Sequence, residues 1–270
     1  MKCHVPGRIL MWGYDFMRHA IIAGLVIATI CSIISVFVVL RKSIFATHAL
    51  GHMSITGAAG AYLLGMPGIV GQLILNMIAA IVMGIMGDKI KKNDLVVGVV
   101  LSFVLGCGAY FLFLYQNNYA GGVMSILFGN ILAVSVGQIK LLVIMAIITI
   151  VILCIIARPL LFASIDPTLA EAKNIPMKLI SVIFFLTLAI TVSMACQIVG
   201  ALLVFVLLVI PGAIGIQWGD GIYKIMLISI VVANFAVITA LTVAFYLNLP
   251  ISFCIATILS AIYFVGIVLQ

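Results

Sequence analysis

The sequence predicts an all-α, polytopic membrane protein with about eight to nine transmembrane helices and one short re-entrant or broken segment. Three observations carry that expectation. Of 270 residues, 66% are hydrophobic and only 7% are charged, with a mean hydropathy of +1.46. A soluble domain carries about a quarter charged residues. The apolar residues fall in runs long enough to span a bilayer, which takes roughly 20 residues per helix. The breaks between runs alternate between Gly/Pro/Asn turns and clusters of Lys and Arg, as the positive-inside rule requires. So few charges cannot coat a soluble particle of 28.8 kDa. A soluble enzyme, a nucleic-acid binder and a disordered scaffold are therefore excluded, and residues 1–270 read as a single transmembrane domain.

The elements follow in order from the runs and their breakers. Span 1 covers about 16–40 and ends at Arg41-Lys42. Span 2, about 47–64, stops at Gly65-Met66-Pro67-Gly68. Span 3, about 69–86, stops at the charged run from Asp88 to Asp94. Span 4, about 95–114, stops at Gln116-Asn117-Asn118. A Gly-rich, semi-apolar stretch occupies 121–136. Span 5, about 139–156, ends at Arg158-Pro159. Spans 6 to 9 cover about 179–195, 199–216, 223–247 and 250–269. The net charge of +7, from 13 Lys and Arg against 6 Asp and Glu, is topological information. With Arg41-Lys42 in the cytoplasm, and 121–136 dipping in without crossing, Lys89, Lys91, Lys92, Arg158, Lys173, Lys178 and Lys224 also face the cytoplasm. Lys2, Arg8, Arg18 and Lys140 do not follow the pattern. The start of span 1 is then outside.

Small residues are dense in span 2 (Gly51, Gly57, Ala58, Gly60, Ala61) and span 4 (Gly98, Gly106, Gly108, Ala109). Such residues let helices approach closely where lipid supplies no hydrophobic drive. Spans 2 and 4 are expected inside the bundle, spans 1 and 9 at its periphery. The six cysteines are scattered without a CxxC pair, which fits buried thiols rather than a disulfide framework.

Two histidines, His48 and His52, stand four apart at the start of span 2 and share a helix face. Two imidazoles at that spacing can bind one transition-metal ion or carry protons, or they can simply pack at the interface. A zinc-protease reading fails, because the string His48-Ala49-Leu50-Gly51-His52 lacks the acid of HExxH. Four histidines are too few for a membrane di-iron site. No G-x-x-x-x-G-K-[ST] string is present to cradle ATP phosphates. The stretch from Asp166 to Pro176 reads as a short capped helix in a loop: Asp166 at the N-cap, Pro167 at the first helical position, Asn174 near a left-handed end. It suits docking of a soluble partner, or a solvated connector. From Gln197 to Ala213, Gly200 and Pro211 interrupt an apolar run, and kinked helices of this kind line transport paths. Asn76, Asn130, Gln197 and Asn234 are further intramembrane polar residues, expected mostly to satisfy neighbouring helices.

At these places the sequence resembles the permease subunits of bacterial manganese/zinc/iron-type ABC importers. The family pattern F-G-D-x-L-x-H is similar to Phe45-Ala46-Thr47-His48-Ala49-Leu50-Gly51-His52. A Leu-Phe-Gly stretch resembles Leu127-Phe128-Gly129. D-P-x-L-A-x-A matches Asp166, Pro167, Leu169, Ala170, Glu171 and Ala172, and V-G-x-L-L-V…I-P-A resembles Val199 to Ala213. The resemblance implies a permease domain that is not itself an enzyme and holds no permanent cofactor. It implies a multi-pass protein of the bacterial plasma (inner) membrane, a homodimer, cytoplasmic ATPase subunits docked on the 166–172 loop, and an extracytoplasmic metal-loaded solute-binding protein. His52 matches the pattern's histidine, and His48 stands where the pattern has aspartate. Imidazole in place of carboxylate shifts preference from Mn²⁺ toward Zn²⁺, or toward Fe²⁺, Co²⁺ or Ni²⁺. The expected function is alternating-access import of a divalent transition metal, zinc first. The alternatives are a secondary transporter or channel without an ATPase, and the same architecture carrying a chelate or cofactor.

Overall fold

The computed structural model describes residues 14–90, 94–114, 129–165, 170, 173 and 176–269. Among these residues there is no strand. The chain forms α1 (Asp15–Leu40), α2 (Ile44–Leu63), α3 (Gly68–Ile90) and α4 (Asp94–Leu114). A 3₁₀ turn, Ile131–Ala133, precedes α5 (Val136–Ile165), α6 (Met177–Val199), α7 (Ala201–Trp218), α8 (Ile222–Leu247) and α9 (Ile251–Val268). Each expected span corresponds to one helix. Among the described residues, seven helices (α1, α3 and α5 to α9) are long and apolar enough to cross a membrane. Helix α4 is 21 residues long and carries no charged residue after Asp94. The Gly, Ser, Thr and His content of α2 dilutes its hydropathy, and its burial among other helices makes that tolerable. The expected end of the fifth span at Arg158-Pro159 is corrected: α5 continues through Pro159 to Ile165. Transmembrane helices tolerate proline where neighbours re-satisfy the freed backbone groups.

Paired residues fix the helix directions. Ser54 of α2 and Ser193 of α6 both meet Asn76 of α3. Gly57 faces Gly71, and Gly84 faces Val182, so α3 runs against both α2 and α6. Phe45 lies by Gly98, Thr56 by Gly108 and Gly60 by Phe111, so α2 and α4 run in the same direction. Gly24, in the first half of α1, faces Ile131, just before α5 begins. At the other end of α1, Arg41 reaches Ser181 near the start of α6. The end of α4 and the start of α5 therefore lie on the same side as the start of α1. The segment between them begins and ends on one side, in keeping with the re-entrant reading. Its residues 115–128 lie outside the described part.

The bundle has two groups of helices. In one, α2 packs on α3 and α4, and α3 on α6; in the other, α1 packs on α7, α8 and α5, while α9 covers α7 and α8. They meet where α5 packs on α6 and where α7 touches α2 and α6. The small-residue expectation holds for α2 and the peripheral one for α9. It reverses for α1 and α4. Helix α1 is buried on most of its surface, using Ala20, Ala23, Ala28, Cys31, Ser32 and Ser35 as its close-packing residues. Helix α4 buries one stripe, Val97, Leu101 and Gly108, and exposes Val99, Val100, Phe103, Tyr110 and Phe113. A Cβ on Gly106 would meet nothing within 4 Å. Glycine alone did not mark the packed face; alanine, serine and cysteine did so in α1.

Two intramembrane asparagines join helices as expected. Asn76 donates to Ser54 Oγ at 2.7 Å and Ser193 Oγ at 2.9 Å, and Asn234 of α8 donates to Thr29 Oγ1 of α1 at 3.1 Å. Gln72, one turn before Asn76, is fully buried with neither side-chain amide atom hydrogen-bonded among the described residues.

Candidate functional site

The first turn of α2 is pinned at its base. Arg41, although basic, is buried: it donates to Ser181 Oγ at 2.6 Å and stacks over the Phe184 ring at 5.3 Å. Lys42 takes a left-handed turn (φ 54°), and Thr47 Oγ1 donates back to the Ser43 carbonyl at 3.0 Å. This sets the rotation of the helix. Ser54, Gly57 and Ala61 then face α3, while His48 looks elsewhere, toward Phe205 of α7, with His52 beside it. The two imidazole centres are 4.5 Å apart with the rings inclined at 78°. Two imidazoles on one ion, each at about 2.1 Å, place their ring centres roughly 5 Å apart. The 4.5 Å between the two centres is close to that spacing. Both side chains are half-buried. Among the described residues, no third His, Cys, Asp or Glu completes a ligand cluster.

The neighbour of His48 is Phe205 of α7, its ring centre 4.8 Å away and inclined at 69°. Phe205 owes its place to the break between α6 and α7. Gly200 alone joins these helices, with φ 86° and ψ 153°, a conformation open only to glycine. Gly129 (φ 72°) lies against the backbone of Val199 and Gly200, where any Cβ would collide. The Asn130 N–H donates to the Ile198 carbonyl at 3.0 Å. A cavity of about 300 Å³ opens beside this contact, lined by Asn130, Leu203, Pro250 and Ser252 among others. Further along, Pro211 interrupts the hydrogen-bond ladder of α7. Ser35 of α1 bonds to the helix beside it: its hydroxyl donates to the Val209 carbonyl at 3.1 Å and accepts from the Gly212 N–H at 2.8 Å.

The residues picked out in the sequence thus fall into separate groups. His48 and His52 stand together. Gly200 touches their surroundings through Ala201, whose carbonyl lies 3.7 Å from the position of a Cβ on Gly51. Pro211 lies farther along α7, and half-buried Gln197 sits in the last turn of α6. In the 166–172 loop, Asp166, Pro167, Leu169, Glu171 and Ala172 lie outside the described residues. Ala170 is helical and fully buried, and Lys173 Nζ stands 4.7 Å from the centre of the Phe162 ring. Sequence reasoning did not pick out Phe205, Ser35 or Gln72. Each looks ordinary in an apolar run and acquires its role from a distant part of the chain.

Comparison with known proteins agrees with this architecture. The chain is 26% identical over 252 residues to the manganese import system permease protein ScaB of Streptococcus parasanguinis, covering 93% of this chain and 89% of that one. It is 27% identical over 256 residues to the chelated iron transport system membrane protein YfeD of Yersinia pestis, covering 94% and 85%. Among solved structures, PsaBC from Streptococcus pneumoniae in complex with Fab superimposes with a TM-score of 0.83 at 21% identity, covering 95% of this chain and 92% of that one, a likeness of fold. The family model described as the ABC 3 transport family matches residues 13–270. On that match the chain belongs to the ABC 3 transport family, as a multi-pass membrane permease.

Proposed function

We propose that this permease imports a divalent transition-metal ion, held in passage by His48 and His52, with zinc as the preferred ion. The observation that carries the reading is the imidazole pair, 4.5 Å between ring centres, on a helix face turned toward the α6–α7 break. Two nitrogen ligands from the protein, completed by water, hold an ion weakly enough to release it, which transport requires. The zinc preference rests on His48. An imidazole favours zinc, iron, cobalt or nickel over manganese, whereas a carboxylate suits manganese. The cargoes of the relatives, as their names give them, favour a second reading, manganese or chelated iron.

Transport runs by alternating access in a homodimer of this chain, driven by ATPase subunits on separate chains and fed by an extracytoplasmic solute-binding protein. The loop containing Asp166, Pro167, Leu169, Ala170, Glu171 and Ala172 is the docking element for the ATPase. The buried Ala170 and the Lys173–Phe162 contact support this, since they tie the loop to the end of α5. Gln197, Gly200 and Pro211 shape the transport path. The test is uptake by cells lacking their own zinc and manganese importers, expressing this permease with its ATPase and binding protein. ATPase-dependent accumulation of zinc supports the full reading. Accumulation of manganese or iron keeps the importer and removes the zinc preference. An assembled complex that accumulates no metal overturns the proposal.

A further inference from the structure

We infer that Phe205 is a positioning residue for the imidazole pair: it stands edge-on to His48 and fixes the direction in which that ring offers its nitrogen. The inference rests on the metal reading of His48 and His52. A metal-binding histidine is ordinarily oriented by a hydrogen bond from its other ring nitrogen to a carboxylate or carbonyl. Among the described residues no carboxylate joins His48 and His52 to play that part. Its ring is instead held between two others, His52 at 4.5 Å and 78° and Phe205 at 4.8 Å and 69°. Edge-to-face contacts of this kind are directional, so they set a ring's tilt as well as its place.

Phe205 can do this because its own helix segment is fixed at both ends. Upstream is Gly200, held against Gly129 and by the bond from the Asn130 N–H to the Ile198 carbonyl. Downstream is Pro211, where the Ser35 hydroxyl bridges Val209 and Gly212. Between these points α7 is uninterrupted helix, and Phe205 lies near its middle. The two ends are also the two places where α7 can bend. A bend at either one moves the Phe205 ring relative to His48 and loosens the site without breaking a hydrogen bond to the histidine. An aromatic neighbour therefore gives orientation without the added basicity that a carboxylate partner would bring, which suits a site that must let go.

The test uses the permease–ATPase complex in lipid nanodiscs, titrated with Co²⁺ and followed by its ligand-field absorption. Wild type is expected to give bands of nitrogen ligation that the His48→Ala/His52→Ala variant loses. Phe205→Leu keeps the bulk of the side chain and is expected to fold. It should bind Co²⁺ about tenfold more weakly with altered band intensities, and Phe205→Tyr should restore both. Wild-type affinity and spectrum in Phe205→Leu would overturn the inference while leaving the histidine pair standing. A loss that Phe205→Tyr does not rescue would overturn it too, reducing Phe205 to packing. Identical Co²⁺ spectra in wild type and the double-histidine variant would overturn the metal reading itself, and the role of Phe205 with it.

Discussion

His48 and His52 contribute little to holding the bundle together, because both are half-buried and face each other, with Phe205 beside His48, rather than the packed α2–α3 seam. His48→Ala and His52→Ala should each lower metal uptake by at least about tenfold, with the complex still assembling and its thermal unfolding little changed. Uptake at equal expression, beside a melting curve, checks both halves. His48→Asp should move the ratio of imported manganese to zinc toward manganese, since carboxylate oxygen suits the harder ion. Competition uptake with both metals reads that ratio, and an unchanged ratio would mean that His48 does not set preference. The pair was legible in the sequence because its spacing is local: four residues on a helix always share a face. Phe205 was not legible, because nothing within its own run distinguishes it from the surrounding Leu and Val. Its meaning comes from the turn at Gly200, which brings the start of α7 beside α2.

Among the helices, close backbone approach explains which small residues matter. Gly71→Ala would drive a Cβ into the backbone of Gly57 where α2 and α3 touch. Overpacking of this kind costs about 1–3 kcal/mol. Gly129→Ala adds a left-handed strain to a collision with Val199 and Gly200, and should be at least as damaging. Gly106→Ala meets open space on α4 and should be neutral, or stabilising by up to about 1 kcal/mol. Thermal unfolding of the three purified variants checks the order, which a sequence count of glycines would not give. Ser35→Ala removes the hydroxyl that joins the Gly212 N–H and the Val209 carbonyl beside Pro211. It should lower stability by about 1 kcal/mol, the scale of a hydrogen bond between membrane helices, and loosen the kink. Helix positions were readable from apolar runs and breakers. The depth of each helix in the bundle was not. Burial depends on which neighbours arrive, and α1 is central because α5, α7 and α8, all later in the chain, close around it.

For the molecule as a whole, the directions of the nine helices among the described residues put Asn248 on the side where α1 starts and Asp220 on the side where α1 ends. The basic residues Arg41, Lys42, Arg158 and Lys224 lie at that second end, so it is cytoplasmic by the positive-inside rule. In a chain stripped of its native cysteines, Asn248→Cys should react with a membrane-impermeant maleimide added to intact cells. Asp220→Cys should react only after the cells are opened. The reverse pattern would invert the topology and with it the side from which the His pair is loaded. The central claim is that this permease moves a divalent metal through His48 and His52 at the expense of ATP hydrolysed by its partners. The most direct measurement is ATP-driven accumulation of zinc and manganese in vesicles bearing the complete complex, wild type against His48→Ala/His52→Ala. ATP-dependent accumulation in wild type, lost in the variant while its ATPase subunits remain bound, is the predicted result. Equal accumulation in both would contradict the account, leaving an importer whose ion takes another route.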